Sequence, residues 1–454
     1  MTTDVVILAA GQGSRMRSKL PKVLHPLAGK PMVSHVIDAA KHFADARLHV
    51  VIGHGAERVR EALANEAVTF AVQHEQKGTG HAVAQALDGV GDGKVLVLYG
   101  DVPLIRPETL AALLDQVDER HLGLLTVTMA QPKGYGRIVR NDAGQVTAIV
   151  EEKDASAEQR LIQECNTGIL ATTAAQLKRW LPALSANNAQ GEYYLTDIIA
   201  MAAEEGVTIA TAEPASSVEV QGVNDRVQLA ALERVYQSQQ AEALMREGAS
   251  LADPKRIDVR GRLAVGSDVF IDVGCIFEGE VTLADGVSVG PYSVIRNSRI
   301  GADTHIEAHS VIDGAEVEGD SAIGPFARLR PGTSLARGAR IGNFVETKNA
   351  RIGAGSKINH LSYVGDAALG RNVNVGAGTI TCNYDGVNKH RTEIGDDVFV
   401  GSNSALVAPV SVGSGATIAA GSTITQRVDD DTLAIARGRQ VQKNDWVRPA
   451  KRTT

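Results

Sequence analysis

The stretch that determines the fold of the C-terminal half is IGDDVFVGSNSALVAPVSVGSGATIAAGSTI, residues 394–424. An aliphatic residue stands at every sixth position of this stretch, namely at Ile394, Val400, Leu406, Val412, Ile418 and Ile424. A period of six fits neither the 3.6 residues of a helical turn nor the simple alternation of a strand. It is typical of a triangular parallel β-solenoid, in which each hexad forms one face and three hexads close a coil.

The same period extends back to about residue 263, with small changes of phase. The residues that follow it are Leu263, Val269, Cys275, Val281 and Val287, then Val294, Ile300, Ile306 and Ile312, then Val317, Ile323, Leu329, Leu335 and Ile341, and finally Ile352, Ile358 and Val364. We expect these side chains to fill the interior. A prism too narrow for aromatic rings also explains why Phe, Trp and Tyr make up only 4% of the chain. The largest break in the period, residues 365–393, is where function is expected.

Short β-branched runs alternate with helical patterns in the N-terminal half, which predicts a parallel, doubly wound α/β sheet. The predicted strands are residues 5–10, 48–52, 69–73, 95–99 and 124–129, and the predicted helices are residues 31–44, 57–65, 81–89 and 107–120. A long helix over residues 225–248 is expected to join the halves. The predicted domains are therefore residues 1–226, a linker helix at 227–248, and residues 249–454 with a C-terminal tail.

Composition excludes several classes of protein. The 454 residues carry a net charge of −7, which argues against a nucleic-acid binder, because such binding needs a basic surface. Three separated cysteines, Cys165, Cys275 and Cys382, form neither a disulfide framework nor a zinc motif and suit a reducing cytoplasm. The N-terminal MTTDVVILAAGQG lacks the basic segment of a signal peptide. Residues 398–426 are uncharged but too polar for a membrane span, so we expect no membrane insertion.

A glycine-rich loop, LAAGQGSRMRSKLPK at residues 8–22, directly follows the first predicted strand. Gly11 and Gly13 allow backbone N–H groups to approach a ligand, and Arg15 and Lys22 add positive charge, which favours a phosphate chain. The loop is neither a Walker A motif nor a dinucleotide fingerprint.

Asp101 ends the apolar run VLVLYGD, at the carboxyl end of a predicted strand. It is placed either to hold Mg²⁺ against substrate phosphates or to cap the next turn, and this fragment alone favours neither role.

Basic residues also gather in the solenoid sequence, at Arg328, Arg330, Lys348 and Arg351, before the segment INHLSYVGDA (358–367). A charged face exposed to solvent is the simplest interpretation of such residues. The single His360 of this segment is, on its own, more often structural than catalytic.

Several motifs occur in order along the chain: LAAGQGSRMRSKLPK (8–22), EQKGTGHA (75–82), YGDVPL (99–104), GYGRIV (134–139), IVEEKDA (149–155), NTGI (166–169) and GVN (222–224). Together they resemble the nucleotidyltransferases that make UDP-N-acetylglucosamine. With the hexapeptide solenoid, nearly the full length resembles the bifunctional bacterial N-acetylglucosamine-1-phosphate uridylyltransferase / glucosamine-1-phosphate acetyltransferase family; Ser14 stands where Thr is usual. The resemblance implies a Rossmann-like nucleotidyltransferase domain, a linker helix and a left-handed parallel β-helix of hexapeptide repeats.

For the first half, the resemblance implies uridylyl transfer from UTP to N-acetylglucosamine-1-phosphate, with release of pyrophosphate. The implied Mg²⁺ ligands are Asp101 and Asn224, and Arg15 and Lys22 would neutralise charge. The other residues that it assigns to nucleotide, sugar and phosphates are Leu8, Ala9, Ala10, Gly11, Gln73, Gly78, Thr79, Tyr99, Gly100, Gly136, Glu151 and Asn166.

For the second half, the resemblance implies acetyl transfer from acetyl-CoA to glucosamine-1-phosphate, with His360 as general base. It assigns glucosamine-1-phosphate to Arg330, Lys348, Tyr363 and Asn374, and acetyl-CoA to Ala377, Asn383, Tyr384, Ser402, Ala420 and Arg437. It also implies a homotrimer whose acetyl sites are shared between subunits. The C-terminal tail after Arg437 is rich in Lys and Arg. It is equally well explained as solvated chain or as a cover over the CoA phosphates.

Two other hypotheses stand beside the bifunctional enzyme. One is a sugar-1-phosphate nucleotidyltransferase in which the β-helix is only a trimerising or regulatory scaffold, and the other is a non-catalytic binding protein. A scaffold would not need the His360–Tyr363 segment and the NYDG sequence at 383–386. A non-catalytic protein would be expected to lose Lys22, Asp101 or Asn224, and all three are present.

Overall fold

The computed structural model describes residues 2–451, in two units that divide between Tyr236 and Gln237. This division falls within a single long helix, so the predicted limits at residues 226 and 248 stay predictions. No helix of residues 2–451 is both long enough and apolar enough to cross a membrane.

The first unit is built on a mixed β-sheet. Its strands are β1 Thr3–Ala9, β2 Arg47–Ile52, β3 Thr69–Val72, β4 Lys94–Tyr99, β5 His121–Thr128, β6 Arg137–Arg140, β7 Val146–Val150, β8 Glu164–Thr173 and β9 Thr208–Ala212. The main order is β9-β5-β8-β4-β1-β2-β3, and β6 pairs with β8 and β7. The sheet is parallel around β1, as predicted, but β8 runs antiparallel to β4 and β5. The chain reaches β8 through the β6–β7 hairpin and not through the crossover helix that usually joins parallel neighbours.

Helices cover both faces of this sheet. They are α1 Met32–Ala40, α2 Ala56–Ala62, α3 Thr79–Ala84, α4 Pro107–Asp115, α5 Ala174–Trp180 and α6 Asp197–Glu204. The long helix α7, Arg226–Arg246, extends across the division between the units. Alternate residues of β1 enter separate cores, with Val5 and Ile7 on one face and Val6 and Leu8 on the other. Because β1 is buried on both faces, residues 5–9 of this strand are continuously apolar. The doubly wound arrangement predicted for this half is confirmed.

The second unit is a parallel β-helix of short strands. The strands of its first face are Ser250–Leu251, Phe270–Ile271, Ser288–Val289, His305–Ile306, Ala322–Ile323, Arg340–Asn343, Lys357–His360, Asn374–Val375, Phe399–Val400, Thr417–Ile418 and Leu433–Ala434. Longer strands join the other two faces into one sheet, whose members are Ile257–Val265, Cys275–Leu283, Val294–Arg296, Arg299–Ile300, Val311–Asp313, Glu316–Val317, Arg328–Leu329, Ser334–Leu335, Glu346–Ile352, Tyr363–Leu369, Ile380–Cys382, Thr392–Ile394, Ala405–Val407, Val410–Val412 and Thr423–Ile424.

The interior of the β-helix follows the hexapeptide prediction with two corrections. All the predicted interior residues except Val294 are buried. Ile295 is fully buried instead, because neighbouring side chains of a strand point to opposite sides and Ile295 continues the buried series Ile271, Phe277, Leu283 and Val289. The expectation that the prism excludes aromatic rings is also wrong, since Phe277 lies inside it with 1% of its surface exposed.

The break in the hexapeptide rhythm is shorter than predicted. Lys357 pairs with Asn374, 17 residues on, but Asn374 pairs with Phe399, 25 residues on. The coil therefore holds eight additional residues. They fall between the strands Ile380–Cys382 and Thr392–Ile394, so we call residues 383–391 the inserted loop. The rest of residues 365–393 keeps the regular coil.

One corner of the β-helix carries a row of stacked rings. Tyr292, His309, Phe326 and Phe344 stack with centroids 5.4, 5.0 and 5.2 Å apart, and we call them the aromatic ladder. Each has a positive φ, and the same corner continues at Leu361. Leu361 and the three Tyr and Phe side chains are about half exposed. A contiguous apolar surface of this kind is typical of a protein interface.

The register at the phase change is testable by a matched pair of variants. Ile295→Ala should lower the free energy of unfolding of the second unit by about 2–5 kcal/mol, because it leaves a cavity in the interior. Val294→Ala should cost less than about 1 kcal/mol, since Val294 is partly exposed. Urea denaturation of both variants measures the difference, and equal costs or the reverse order would contradict the register described here.

Candidate active sites of the two units

The glycine-rich loop after β1 brings two basic side chains to the carboxyl edge of the sheet. Gly13 has a φ of 60°, and a Cβ atom there would lie 2.6 Å from the Cβ of Lys22. Only glycine therefore allows this part of the loop to pack against Lys22. The loop carries Arg15 on the short 3₁₀ turn Ser14–Met16, and Lys22 begins a second one, Lys22–Leu24.

Four polar side chains meet at this edge. Nη2 of Arg15 donates to Oδ1 of Asn224 at 2.9 Å, and Nζ of Lys22 donates to the same oxygen at 3.4 Å. Nζ of Lys22 also forms an ion pair with Asp101, which follows β4. The side chains of Lys22 and Asp101 are only 16% and 15% exposed. The oxygens of Asp101 and Asn224 thus both contact the Lys22 ammonium and lie near a single point. The resemblance implies that these two residues bind Mg²⁺.

A first cleft of about 210 Å³ opens beside this group. The predicted residues that line it are Leu8, Ala9, Ala10, Gly11, Lys22, Gln73, Gly78, Thr79, Tyr99 and Asp101. Sequence analysis missed Val23, Gln76, Ala82 and Glu192, which also line it. Gln76 lies within the quoted motif EQKGTGHA, whereas nothing in the sequence pattern singled out Glu192.

Gln73 is held in a defined orientation in this cleft, with 3% of its surface exposed. Its Nε2 donates to the Gly78 carbonyl at 3.1 Å and lies 3.1 Å from Nδ1 of His81. Gly78 has a φ of 108°, and a Cβ there would lie 2.5 Å from the backbone oxygen of Tyr193. Residue 78 must therefore be glycine for the segment around Tyr193 to close against the loop.

A second cleft of about 320 Å³ shares Tyr99 and Asp101 with the first. Its lining adds the predicted Arg15 and Asn224, together with Val102, Lys133, Gly134, Tyr135, Thr167, Val220, Gln221, Gly222 and Gln228, which sequence analysis did not single out. The shared Tyr99 is partly buried, and burial raises the pKa of its phenol well above the usual value. Tyr99 therefore contributes a neutral hydroxyl between the two clefts.

Three further predicted residues form a neighbouring group. The backbone N–H of Asn166 donates to the Gly136 carbonyl at 2.9 Å, and Oδ1 of Asn166 accepts from the Gly168 N–H at 2.9 Å. Glu151 accepts from the Thr196 hydroxyl at 3.2 Å, and burial raises the pKa of its carboxyl group. Both carboxylate oxygens of Glu151 lie 3.5 Å from where a Cβ of Gly136 would be. Gly100, also predicted, has its N–H bonded to the Leu8 carbonyl at 2.9 Å and holds β4 against β1.

In the second unit, the coil register aligns several predicted residues along one corner. Asn343 pairs directly with His360. The pairs Lys357–Asn374, Asn374–Phe399 and Phe399–Thr417 place the residue three positions further on each coil in the same row. We call this row the corner column; its members are Asn343, His360, Ala377, Ser402 and Ala420. Arg437 joins it through a 2.7 Å bond from Nη1 to the Ala420 carbonyl.

The corner column determines the state of the His360 ring. Nδ1 of His360 lies 2.9 Å from Oδ1 of Asn343. Since a carboxamide oxygen only accepts, the ring donates to it through Nδ1, and in the neutral form of the ring the lone pair is then on Nε2. Asn343 was missed by sequence analysis, and only the coil register could have revealed it.

The other predicted residues of this unit lie on the neighbouring face and the inserted loop. Nη1 of Arg330 donates to Oε1 of Glu346 at 2.8 Å, and the amine of Lys389, more than burial or Arg330, lowers the pKa of Lys348. We call Arg330, Lys348 and Lys389 the basic cluster. Lys389 was not predicted, because it lies in the inserted loop and comes near Lys348 only through the fold.

Three predicted residues have distinct positions around the basic cluster. Nδ2 of Asn383 contacts the Tyr363 hydroxyl at 3.5 Å and also bonds Asp366. Tyr384 is 61% exposed and bridges to Lys389 through the backbone of the inserted loop. Asn374 lies on the first face, so the structure separates it from Arg330, Lys348 and Tyr363 within one chain.

Comparisons with known proteins agree with this division into two units. The family described as MobA-like NTP transferase domain matches residues 5–247, and the family described as hexapeptide repeat of succinyl-transferase matches residues 391–426. The chain is 70% identical to the bifunctional protein GlmU of Chromohalobacter salexigens, over 99% of this chain and 100% of the relative. It is 63% identical to the bifunctional protein GlmU of Marinobacter nauticus, over 98% and 99% of the two chains. It is 58% identical to that of Pseudomonas entomophila, over 99% of both.

Fold and sites together define a nucleotidyltransferase fused to a hexapeptide-repeat acyltransferase. At these identities over the full length, the chain belongs to the bifunctional uridylyltransferase and acetyltransferase family that its motifs resemble. The protein is therefore an enzyme with both transferase activities, and the hypotheses of a mere scaffold and of a non-catalytic protein are not supported.

The basic cluster generates a direct prediction. Lys389→Met should raise the pKa of Lys348 toward its ordinary value, because Lys389 is the largest cause of the depression. Nuclear magnetic resonance titration of reductively methylated lysines measures this change. Lys357→Met, on the first face, is the control and should leave the titration of Lys348 unchanged. An unaltered Lys348 in the Lys389 variant would show that the inserted loop does not reach the cluster.

Proposed function

We propose that the two clefts of the first unit catalyse uridylyl transfer, and that the corner column with the basic cluster catalyses acetyl transfer. Acetylation of glucosamine-1-phosphate by acetyl-CoA comes first, and uridylylation by UTP then gives UDP-N-acetylglucosamine and pyrophosphate. The observation that carries the first assignment is the convergence of Arg15, Lys22, Asp101 and Asn224 between two adjoining clefts. A phosphoryl-transfer site needs this combination of cations and oxygen ligands where two phosphorylated substrates meet.

The first cleft would hold UTP and the second the sugar phosphate. Because Nε2 of Gln73 is bonded within the protein, its carboxamide oxygen is left to accept from the N3–H of uracil. A phosphate oxygen of the sugar phosphate attacks the α-phosphorus of UTP; this P–O bond forms as the bond to pyrophosphate breaks. The substrate supplies the nucleophile, so alignment and charge neutralisation by Arg15 and Lys22 are what the chain contributes.

Asp101 and Asn224 fit the proposed role of Mg²⁺ ligands. Their oxygens lie around one point, now approached by the Lys22 ammonium. Residues 2–451 contain no group of three or more His, Cys, Asp or Glu side chains suited to a metal. A site of two protein oxygens suits Mg²⁺, which keeps several waters and completes its shell with substrate phosphates. When bound, the ion would neutralise phosphate charge.

For acetyl transfer, Nε2 of His360 is proposed as the general base. The amine of glucosamine-1-phosphate attacks the thioester carbonyl, the C–N bond forms, and Nε2 takes the proton of the amine. The C–S bond then breaks, and the leaving thiolate receives this proton from Nε2, so that CoA leaves as the thiol. The backbone N–H of Ala377, next in the corner column, is proposed to stabilise the oxyanion. The basic cluster would bind the sugar's phosphate, and Ser402, Ala420 and Arg437 would line the path of CoA.

The two activities should separate by mutation. His360→Ala should lower the rate of CoA release by about 10²–10⁴-fold, because it removes the general base. Asp101→Ala should lower pyrophosphate release by at least about a hundredfold, because it removes a proposed ligand of the Mg²⁺ ion that would neutralise phosphate charge. One assay with glucosamine-1-phosphate, acetyl-CoA, UTP and Mg²⁺ measures both products.

Each variant serves as the folding control of the other, because the activity of the unmutated site should persist. N-acetylglucosamine-1-phosphate supplied ready-made should restore pyrophosphate release to His360→Ala and should not restore it to Asp101→Ala. The assignment would be contradicted if either variant lost both activities while ready-made N-acetylglucosamine-1-phosphate was present. It would also be contradicted if acetyl transfer survived the loss of His360.

The proposed assembly is a homotrimer with acetyl sites shared between subunits. The aromatic ladder supports it, because this apolar corner adjoins the corner column that carries His360. The separation of Asn374 from Arg330 and Lys348 within one chain also suits a site completed by another copy. The substrates are small molecules. The cysteines are unpaired, which suits the proposed cytoplasmic location.

A charge placed in the aromatic ladder should test this assembly. Phe344→Asp should shift the protein from trimer to monomer, because a desolvated carboxylate is costly in an apolar contact. Acetyl transfer should fall with it while uridylyl transfer persists. Sedimentation velocity and the two-product assay give the readouts, with the exposed Leu161→Asp of the first unit as control. A Phe344 variant that stays trimeric would show that the ladder lies outside the interface.

A further inference from the structure

Two residues of the quoted motifs have no role in the proposal above. Arg137 belongs to GYGRIV and Glu152 to IVEEKDA, beside the assigned Gly136 and Glu151. Arg137 is only 2% exposed and is among the largest enclosed side chains of the chain. Burial of a guanidinium is costly unless its charge is paired, so Arg137 needs an acidic partner. The cost of its burial also suggests that Arg137 has a role beyond packing.

The partner is Glu152. Nη2 of Arg137 donates to Oε2 of Glu152 at 2.6 Å, and this contact is the main cause that lowers the pKa of the Glu152 carboxyl group. Nη1 of Arg137 donates to the backbone carbonyl of Tyr135, and the nearby backbone N–H of Gly134 also helps to lower the pKa of the Glu152 carboxyl group. The ion pair therefore lies against the backbone groups that flank the Gly134–Tyr135 peptide unit, the Gly134 N–H and the Tyr135 carbonyl.

The segment held in this way is a wall of the second cleft. Lys133, Gly134 and Tyr135 line that cleft together with Asp101 and Asn224. Gly134 has a φ of 89°, and no atom lies within 4 Å of the position of a Cβ there. The turn is thus not wedged in place at Gly134 by side-chain packing, and it depends on hydrogen bonds for its shape.

On its other side, the segment is tied to strand β8. The N–H of Asn166 donates to the Gly136 carbonyl at 2.9 Å, and Cys165 of β8 pairs with Arg137. Nε of Arg137 has no hydrogen-bond partner, so its two Nη contacts provide its compensation. A buried charge placed between a rigid strand and a free turn is well suited to fix the distance between them.

We infer that Arg137 and Glu152 are positioning residues that set the shape of the second cleft and thereby its affinity for the sugar phosphate. This inference rests on the proposed assignment of the second cleft to that substrate. The first cleft, which holds none of residues 133–137, does not depend on the pair. Loss of the ion pair should therefore weaken binding of the sugar phosphate and leave binding of UTP unchanged.

The test is steady-state uridylyl transfer by Arg137→Met, Glu152→Gln and the double variant of the full chain. Each should raise KM for N-acetylglucosamine-1-phosphate at least tenfold, with KM for UTP changed less than twofold. The double variant should match Arg137→Met, because both residues act through the same turn. Acetyl transfer by the second unit, measured in the same samples, should be unchanged.

A neighbouring ion pair provides the matched control. Arg140 lies on the same strand β6, and its Nε and Nη2 donate to Glu164 at 2.8 and 2.7 Å. Its hydrogen-bond partners are Glu164, Gly144 and Thr211, none of which lines the second cleft, so Arg140→Met should leave both KM values unchanged. A rise in both KM values for Arg137→Met, or none in that for the sugar phosphate, would overturn the inference.

Other outcomes separate this inference from the proposed function. A wild-type protein unable to use N-acetylglucosamine-1-phosphate would refute the assignment of the cleft. A wild-type protein that is active, with variants that show no selective effect, would refute only the role of the pair. If Arg137→Met fails to fold, Glu152→Gln decides, and an unchanged KM for the sugar phosphate in that variant would overturn the inference.

Discussion

Closure of a coil after 17 or 18 residues is the constraint on which the second unit depends. Each coil must return an aliphatic side chain to the same place inside the prism, and parallel strands then repeat the outer positions as faithfully as the inner ones. The corner column is the result. Asn343 and His360 are neighbours because they occupy the same position of successive coils, not because they are near in sequence. Packing inside the β-helix thus determines the hydrogen bond that orients the proposed base.

The first unit obtains its site from a different geometry. Asp101 follows β4, and Lys22 belongs to the loop that follows β1, the strand next to it in the sheet. Adjacent parallel strands end at the same edge, so charges placed after each of them meet. Asn224 arrives from a distant part of the chain, just before α7, and completes the group. A few contacts between loops at this edge therefore join segments more than 200 residues apart.

Features of the fold and sites that depend on residues close together in sequence could be predicted, whereas those that depend on contacts between distant residues could not. The hexad period is local and strong, and it correctly placed all the predicted interior residues but one. At Val294 and Ile295 two adjacent aliphatic residues made the phase ambiguous, and only the pairing of whole coils selects Ile295. The direction of the antiparallel strand β8 could not be predicted, because no crossover helix precedes it in the sequence. Lys389 and Glu192 lie in segments without periodic signal, and their places follow from contacts made only after folding. The site residues carried over from the family resemblance stay predictions until they are tested by mutation.

Because the coils stack at a fixed spacing, the length of the second unit changes in steps of one coil. Each added coil advances the first face by about 4.8 Å, the spacing of paired strands. From Ser250–Leu251 to Arg340–Asn343 the face takes five such steps, so these coils separate the start of the β-helix from the corner column by about 24 Å. Gain or loss of a whole coil in this stretch changes that span by one step and leaves every later register intact. Gain or loss of a single hexad would move His360 to another face, whereas extra residues confined to a loop between strands, as in the inserted loop, leave the register unchanged.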